Sequence, residues 1–210
     1  MKLTFQKDDL LNGINIVLKA VPSKTTMPIL ECILIDASDN QIKLTANDME
    51  LGIETKVEGS ILSKGKIALD AKLLSEIIRK LSGGESDITI ESDDKYNTTI
   101  TCDNSVFHIQ GKNGDEFSYL PFIEKDHFIC LSQFTLKEVI RQTLFSISVN
   151  DSNKMMTGEL FQVTDNELKV VSLDGHRMSI RKVELKDHYE NIKVIVPGKT
   201  LGEISKILNG

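Results

Sequence analysis

LKVVSLDGHRMSIRKVE, residues 168–184, reads as two extended runs meeting at Asp174-Gly175-His176-Arg177. The chain says nearly the same thing 126 residues earlier, in DNQIKLTANDMELGIETKVEG, residues 39–59. Asp39-Asn40-Gln41-Ile42-Lys43-Leu44 falls without a gap on Asp165-Asn166-Glu167-Leu168-Lys169-Val170. Upstream the same offset carries Leu10, Ile14, Leu18 and Val21 onto Leu136, Ile140, Leu144 and Ile147. Downstream the offset becomes 127, taking Lys66-Ile67 to Lys193-Val194, Lys72 to Lys199, Glu76-Ile77 to Glu203-Ile204 and Leu81 to Leu208. Self-similarity at a fixed period marks a repeated structural unit. Asp48 reaches the large apolar Leu51 in three steps and Asp174 reaches Met178 in four, so the added residue is expected in the central loop of the second copy.

The 210 residues therefore divide into two domains, expected at 1–126 and 127–210. Composition, 40% hydrophobic and 27% charged, is that of an ordinary globular protein. Cys32, Cys102 and Cys130 show no CxxC spacing, and MKLTFQKDD lacks an apolar signal core. Those features read as an untargeted cytoplasmic protein with reduced thiols. No apolar run approaches the length of a membrane span.

Residues 2–6 alternate as a strand, and apolar spacing predicts helices over 10–22, 70–81, 136–148 and 198–209. Between the first two helices, 29–37, 41–45, 51–58 and 66–69 read as strands, and 87–91, 98–102 and 106–111 as a closing meander. The fold class is α+β, with repeated domains that each set two helices on antiparallel sheet. The second copy follows the same order until its second helix and there runs out, so its closing strands are expected to lie beyond this chain.

A formal charge of −6 opposes binding to a polyanion, but the charge is unevenly placed. The four helices carry Lys19, Lys72, Arg79, Lys80, Lys137, Arg141, Lys199 and Lys206 against Asp70, Glu76, Glu138 and Glu203, a net of +4, which leaves −10 for everything else. Such a chain can show one basic face and repel polyanions elsewhere, although exposed helices favour lysine in any case.

Asp174 and His176 admit a catalytic reading as an acid/base pair or metal ligands, but no third ligand or nucleophile stands at a recognisable spacing. A Gly-bearing turn is the plainer reading.

The combination TTMPILECILIDA (25–37), LTANDMELGIETKVEG (44–59), IALDAKLLSEIIRKL (67–81), LKEVIRQTLFSIS (136–148), MMTGELFQV (155–163), LDGHRMSIRK (173–182) and VIVPGKTLGEI (194–204) resembles the bacterial DNA sliding clamps, beta subunits of the replicative DNA polymerase III. The resemblance covers the whole chain. It implies a DNA-clamp fold of three similar domains per subunit, the third absent here, with two subunits closing head to tail into a ring whose helices surround duplex DNA. Such a ring is not an enzyme and needs no cofactor or metal. It tethers the replicative polymerase, the clamp loader and repair polymerases through short linear peptides. By the same resemblance Lys24, in the loop before Met27-Pro28, Lys72 and Lys199 lie close to DNA, with Arg79, Lys80, Lys137 and Arg141 as further helix cations facing it, and binding is independent of sequence. Met156, Leu173, Gly175, His176, Arg177 and Met178 would line part of the peptide pocket, where flexible methionines suit several partners. Two departures stand out: Asn150–Gly158 is one residue shorter than in many relatives, which leaves the place of Lys154 ambiguous, and Ser118 stands where a proline is common. A DNA-independent peptide adaptor using the same pocket is the alternative.

Overall fold

The computed structural model describes residues 1–81, 87–118, 120–121, 128–149 and 153–209 and divides into two compact units, 1–122 and 123–210. The expected domain boundary at 126/127, Gly83-Gly84 after the second helix and the loop residues 150–152 lie outside the described residues.

The first unit runs β1 (Lys2–Phe5), α1 (Lys7–Val17), β2 (Cys32–Asp36), β3 (Ile42–Asn47), β4 (Gly52–Val57), β5 (Ser60–Ser63), β6 (Lys66–Asp70), α2 (Ala71–Lys80), β7 (Ile88–Ser92), β8 (Asn97–Cys102), β9 (Ser105–Gln110) and β10 (Lys112–Asn113). The strands form two antiparallel sheets, ordered β5-β1-β7-β8-β9 and β10-β6-β2-β3-β4. Their apolar faces and one side of each helix close over a main core that includes Leu3, Phe5, Leu10, Ile14, Ile33, Ile35, Leu44, Leu69, Leu74 and Ile90, with a smaller cluster of Cys32, Leu34, Ala68 and Phe117 beside it. Helix α1 starts three residues before the apolar stripe announces it, because Lys7, Asp8 and Asp9 form its first turn, with the acids at the positive end of the helix dipole. It gives way to a 3-10 turn at Leu18–Ala20 before Pro22. Residues 29–31, read as the start of a strand from sequence, form with Pro28 another 3-10 turn, since Pro28 sits comfortably at a helical start. Strand β5 escapes the sequence reading because Ser60-Ile61-Leu62-Ser63 is an edge strand with three exposed residues and no alternation.

Asp70 caps α2 by accepting a hydrogen bond from the Leu73 amide at 2.7 Å. Its counterpart before the last helix is Pro197, which offers no side-chain cap. Asp70→Ala is therefore expected to destabilise the first unit by about 1 kcal/mol, readable as a lower denaturant midpoint, whereas Pro197→Ala removes no capping bond.

In the second unit α3 (Gln133–Thr143) is capped by Ser132, whose hydroxyl accepts from the Thr135 amide at 3.0 Å. It is followed by a 3-10 turn at Leu144–Ser146, two long strands, β11 (Gly158–Leu173) and β12 (Met178–Pro197), and α4 (Gly198–Ile207). Each long strand does the work of two in the first unit. Cys32 opposite Asp70 becomes Gly158 opposite Pro197, and Ile42 opposite Val57 becomes Leu168 opposite Val183. The register breaks at Asp165, where a left-handed φ of 55° takes up the bend. In each unit a lysine of the first helix reaches the chain end of the second: Lys7 donates to the Leu81 carbonyl and Lys137 to that of Leu208, the latter at 3.0 Å. No described helix is long and apolar enough to cross a membrane.

This register corrects the position of the added residue. Asn47 pairs with Gly52 and Leu173 with Met178, so both hairpins turn in four residues and the offset of 126 holds as far as Val183. The extra residue lies after Val183 and before Lys193, where the offset becomes 127. Met178 therefore corresponds to Gly52, not to Leu51.

Candidate functional site

The turn at 174–177 is built by Asp174. Its amide bonds the Arg177 carbonyl at 3.2 Å. Its Oδ1 accepts from the amides of His176 and Arg177, both at 3.0 Å, and its Oδ2 from Arg177 Nε at 2.9 Å. Chiefly the His176 amide, helped by the amide and guanidinium of Arg177, holds the Asp174 carboxyl below the usual range. Asp48 builds the same turn, accepting from the amides of Glu50 and Leu51 at 3.0 and 2.7 Å. Both turns need a left-handed second residue, met by Gly175 at φ 91° and by Met49 at φ 74°. A carboxylate committed to backbone amides is not placed to serve the His176 ring, so the acid/base reading of this pair loses its geometry. Among the described residues no group of three or more His, Cys, Asp or Glu could hold a metal ion.

What distinguishes the second turn is what surrounds it. The Arg177 guanidinium lies 5.9 Å from the centroid of the Phe145 ring, within cation–π range. Ser172 and Ser179, opposite each other at the base of the hairpin, hold the end of α3. Ser172 Oγ donates to the Thr143 carbonyl at 2.5 Å, and Ser179 Oγ lies 2.6 Å from Ser146 Oγ. The exposed ring of Phe145 is thus fixed beneath the turn from both sides. Of the residues predicted for a peptide site, Gly175, His176, Arg177 and Met178 are exposed, Leu173 is half-buried opposite Met178, and half-buried Met156 accepts a bond from the Ser148 amide at 2.8 Å. The two clefts described in this unit, about 310 and 240 Å³, are lined by other residues. Phe145, Ser146, Ser172 and Ser179 were not singled out in the sequence. One signal for Phe145 was available, because it replaces Lys19 of the first copy, an exposed cation exchanged for an exposed ring.

The predicted basic residues fall into two groups. Lys24, Lys72, Lys80 and Lys199 have exposed side chains, and exposed Arg79 lies 3.3 Å from Ser75 Oγ and 3.4 Å from Asn15 Oδ1. Arg141 is instead held by two 2.8 Å bonds to Glu138, and Lys137 is engaged with Leu208. Their charges are partly spent within the second unit. Gly198 lets α4 start where it does: a Cβ there would lie 2.2 Å from Ile147 Cδ1 and 2.9 Å from the Thr157 carbonyl, while its amide bonds that same carbonyl at 3.0 Å. Lys199 is thereby set on the first turn of α4.

Two helices on antiparallel sheet, repeated, form the fold seen in solved structures of DNA polymerase sliding clamps. The chain's residues 1–121 match the family described as DNA polymerase III beta subunit, N-terminal domain, and 130–210 match its central domain. The chain belongs to the DNA polymerase III beta subunit family. A beta sliding clamp of Staphylococcus epidermidis is 36% identical over 217 residues, covering 100% of this chain and 57% of that protein. The sliding clamp of Bacillus subtilis superimposes with a TM-score of 0.94 at 37% identity, over 100% of this chain and 57% of that one. A crystal structure from Eubacterium rectale, 63% identical, gives a TM-score of 0.96 over 99% of this chain and 56% of its own. The chain thus spans about 57% of the length of the curated relatives it matches.

Proposed function

We propose that this chain forms the first and central domains of a sliding clamp, a non-enzymatic processivity factor that encircles duplex DNA and tethers polymerase to it. The observation that carries this reading is the similarity to beta sliding clamps along the whole chain. A third domain would make up the remaining length, and two subunits would close head to tail in the cytoplasm. Lys24, Lys72, Arg79, Lys80 and Lys199 would attract phosphates without reading bases, as a protein that slides requires. Arg141 and Lys137, already engaged, would contribute less. Met156, Leu173, Gly175, His176, Arg177 and Met178, with Phe145, would receive linear peptides of the replicative polymerase, the clamp loader and repair polymerases, raising their effective concentration at the primer end.

The test uses the full-length protein on nicked circular DNA. Combined Lys24→Glu, Lys72→Glu and Lys199→Glu is expected to weaken retention at least about tenfold and to flatten the salt dependence of binding by about 0.9 in log–log slope for each phosphate no longer neutralised. Unchanged DNA retention with intact peptide binding would favour the DNA-independent adaptor. Sedimentation as a monomer would sink the ring.

A further inference from the structure

Glu159, the second residue of β11, has 0% of its surface exposed, and neither carboxyl oxygen has a hydrogen-bond partner among the described residues. Its counterpart in the first copy is Ile33, an apolar core residue at the corresponding register, opposite Leu69 as Glu159 is opposite Val196. The second unit has therefore put an acid where the first has a hydrocarbon. Both oxygens are closed to solvent, so neither water nor added chain reaches them without rearrangement. Among the described residues the Thr143 hydroxyl, which donates its proton to the Val139 carbonyl at 2.7 Å, is the polar group that bears on the carboxyl, and its lowering influence is smaller than the raising influence of burial.

Charged side chains on the elements packed over Glu159 are Lys137, Glu138 and Arg141 on α3, Lys199, Glu203 and Lys206 on α4, and Lys193 on the paired stretch of β12. None of them figures among the influences on its carboxyl. Burial of a charge without a partner is strongly unfavourable, so the group keeps its proton instead. Thr143 is also the residue whose carbonyl anchors Ser172 beneath the Gly-turn, which connects the acid to the ring of Phe145 two residues on.

We propose that Glu159 is a proton-loaded buried acid that makes the fold of the second unit, and the end of α3 in particular, sensitive to pH near neutrality. The device does not depend on what the turn binds. Desolvation raises the carboxyl from 4.5 to about 7. The folded state therefore holds a proton that the unfolded state has released; the stability is full below about 4.5 and is lost as pH rises through about 7.

Two measurements on the whole chain test this. In a ¹³C titration of glutamate carboxyls, one resonance is expected to titrate near neutrality and to be missing from Glu159→Gln. Between pH 5.5 and 8.5 the unfolding equilibrium constant of the wild type is expected to rise roughly 30-fold more than that of Glu159→Gln. Glu159→Met, an apolar stand-in for Ile33, should behave as the glutamine variant does and serves if the glutamine variant fails to fold. Every glutamate titrating in the ordinary carboxylate range, or pH profiles that run parallel in wild type and variants, would overturn the proposal.

Discussion

Asp174→Ala is expected to weaken binding of a partner peptide by at least about tenfold, while Asp48→Ala leaves that binding unchanged. The two aspartates occupy equivalent positions in equivalent turns, each donating its own amide to the carbonyl three residues on and each accepting from the amides two and three residues on. Their loss should lower the unfolding midpoint of each unit by a small amount, because in each turn two backbone amides lose their carboxylate acceptor. Asp174 also holds the Arg177 guanidinium, and that guanidinium lies over the Phe145 ring. Without that carboxylate the turn loses its backbone acceptor and Arg177 its anchor, so the exposed face from Gly175 to Met178 is no longer preorganised, and ordering it must then be supplied from binding free energy. Fluorescence anisotropy with a labelled linear peptide of the partner polymerase measures the affinity, and thermal unfolding measures the rest. Equal affinities for the two variants would remove the peptide surface from this turn.

Phe5→Ala should produce the largest loss of stability, about 3–5 kcal/mol, whereas Leu131→Ala at the corresponding place in the second copy should cost less than about 1.5 kcal/mol. Phe5 is 1% exposed, among the largest fully buried side chains, on a strand flanked on both sides by β5 and β7. Leu131 is only half-buried, lining a cleft of about 310 Å³ with Cys130, Thr135 and Leu185; the first unit's corresponding cleft, beside Phe5 and Gly59, is about 140 Å³. Truncating Phe5 leaves a cavity that the sheets cannot collapse around, and truncating Leu131 enlarges a hollow already open. Thermal unfolding of the two variants would show Phe5→Ala losing at least about 10 °C of midpoint and Leu131→Ala little, with amide hydrogen exchange assigning the loss to its unit. A comparable loss in both would mean that Leu131 is packed more tightly than its exposure indicates.

Much of this architecture was legible in the sequence because repetition supplied an internal comparison. All four helices and the α+β class follow from apolar spacing in two copies that agree. The added residue was misplaced because apolar landmarks, Leu51 and Met178, were matched across a turn whose geometry is set by Asp48 and Asp174 and by strand pairing. Backbone hydrogen bonds count residues, not side-chain type. Glu159 escaped notice for a related reason: in Gly158-Glu159-Leu160-Phe161 a glutamate reads as the solvent side of a strand, and only its partner Ile33 hints at the interior. The residues proposed to face a peptide, Gly175 to Met178, rest on family resemblance. Phe145 was not, since its role depends on an approach between segments 32 positions apart in the sequence.

Because both hairpins turn in four residues at the same register, the two copies diverged here without any insertion or deletion. The ancestral bend survives as a shared chassis, and specialisation is confined to what hangs from it: Glu50, Leu51 and Gly52 on one copy, His176, Arg177 and Met178 on the other, with Lys19 exchanged for Phe145 below. Around the shared bend one hairpin carries a ring and a guanidinium, and the other an exposed methionine at the left-handed position.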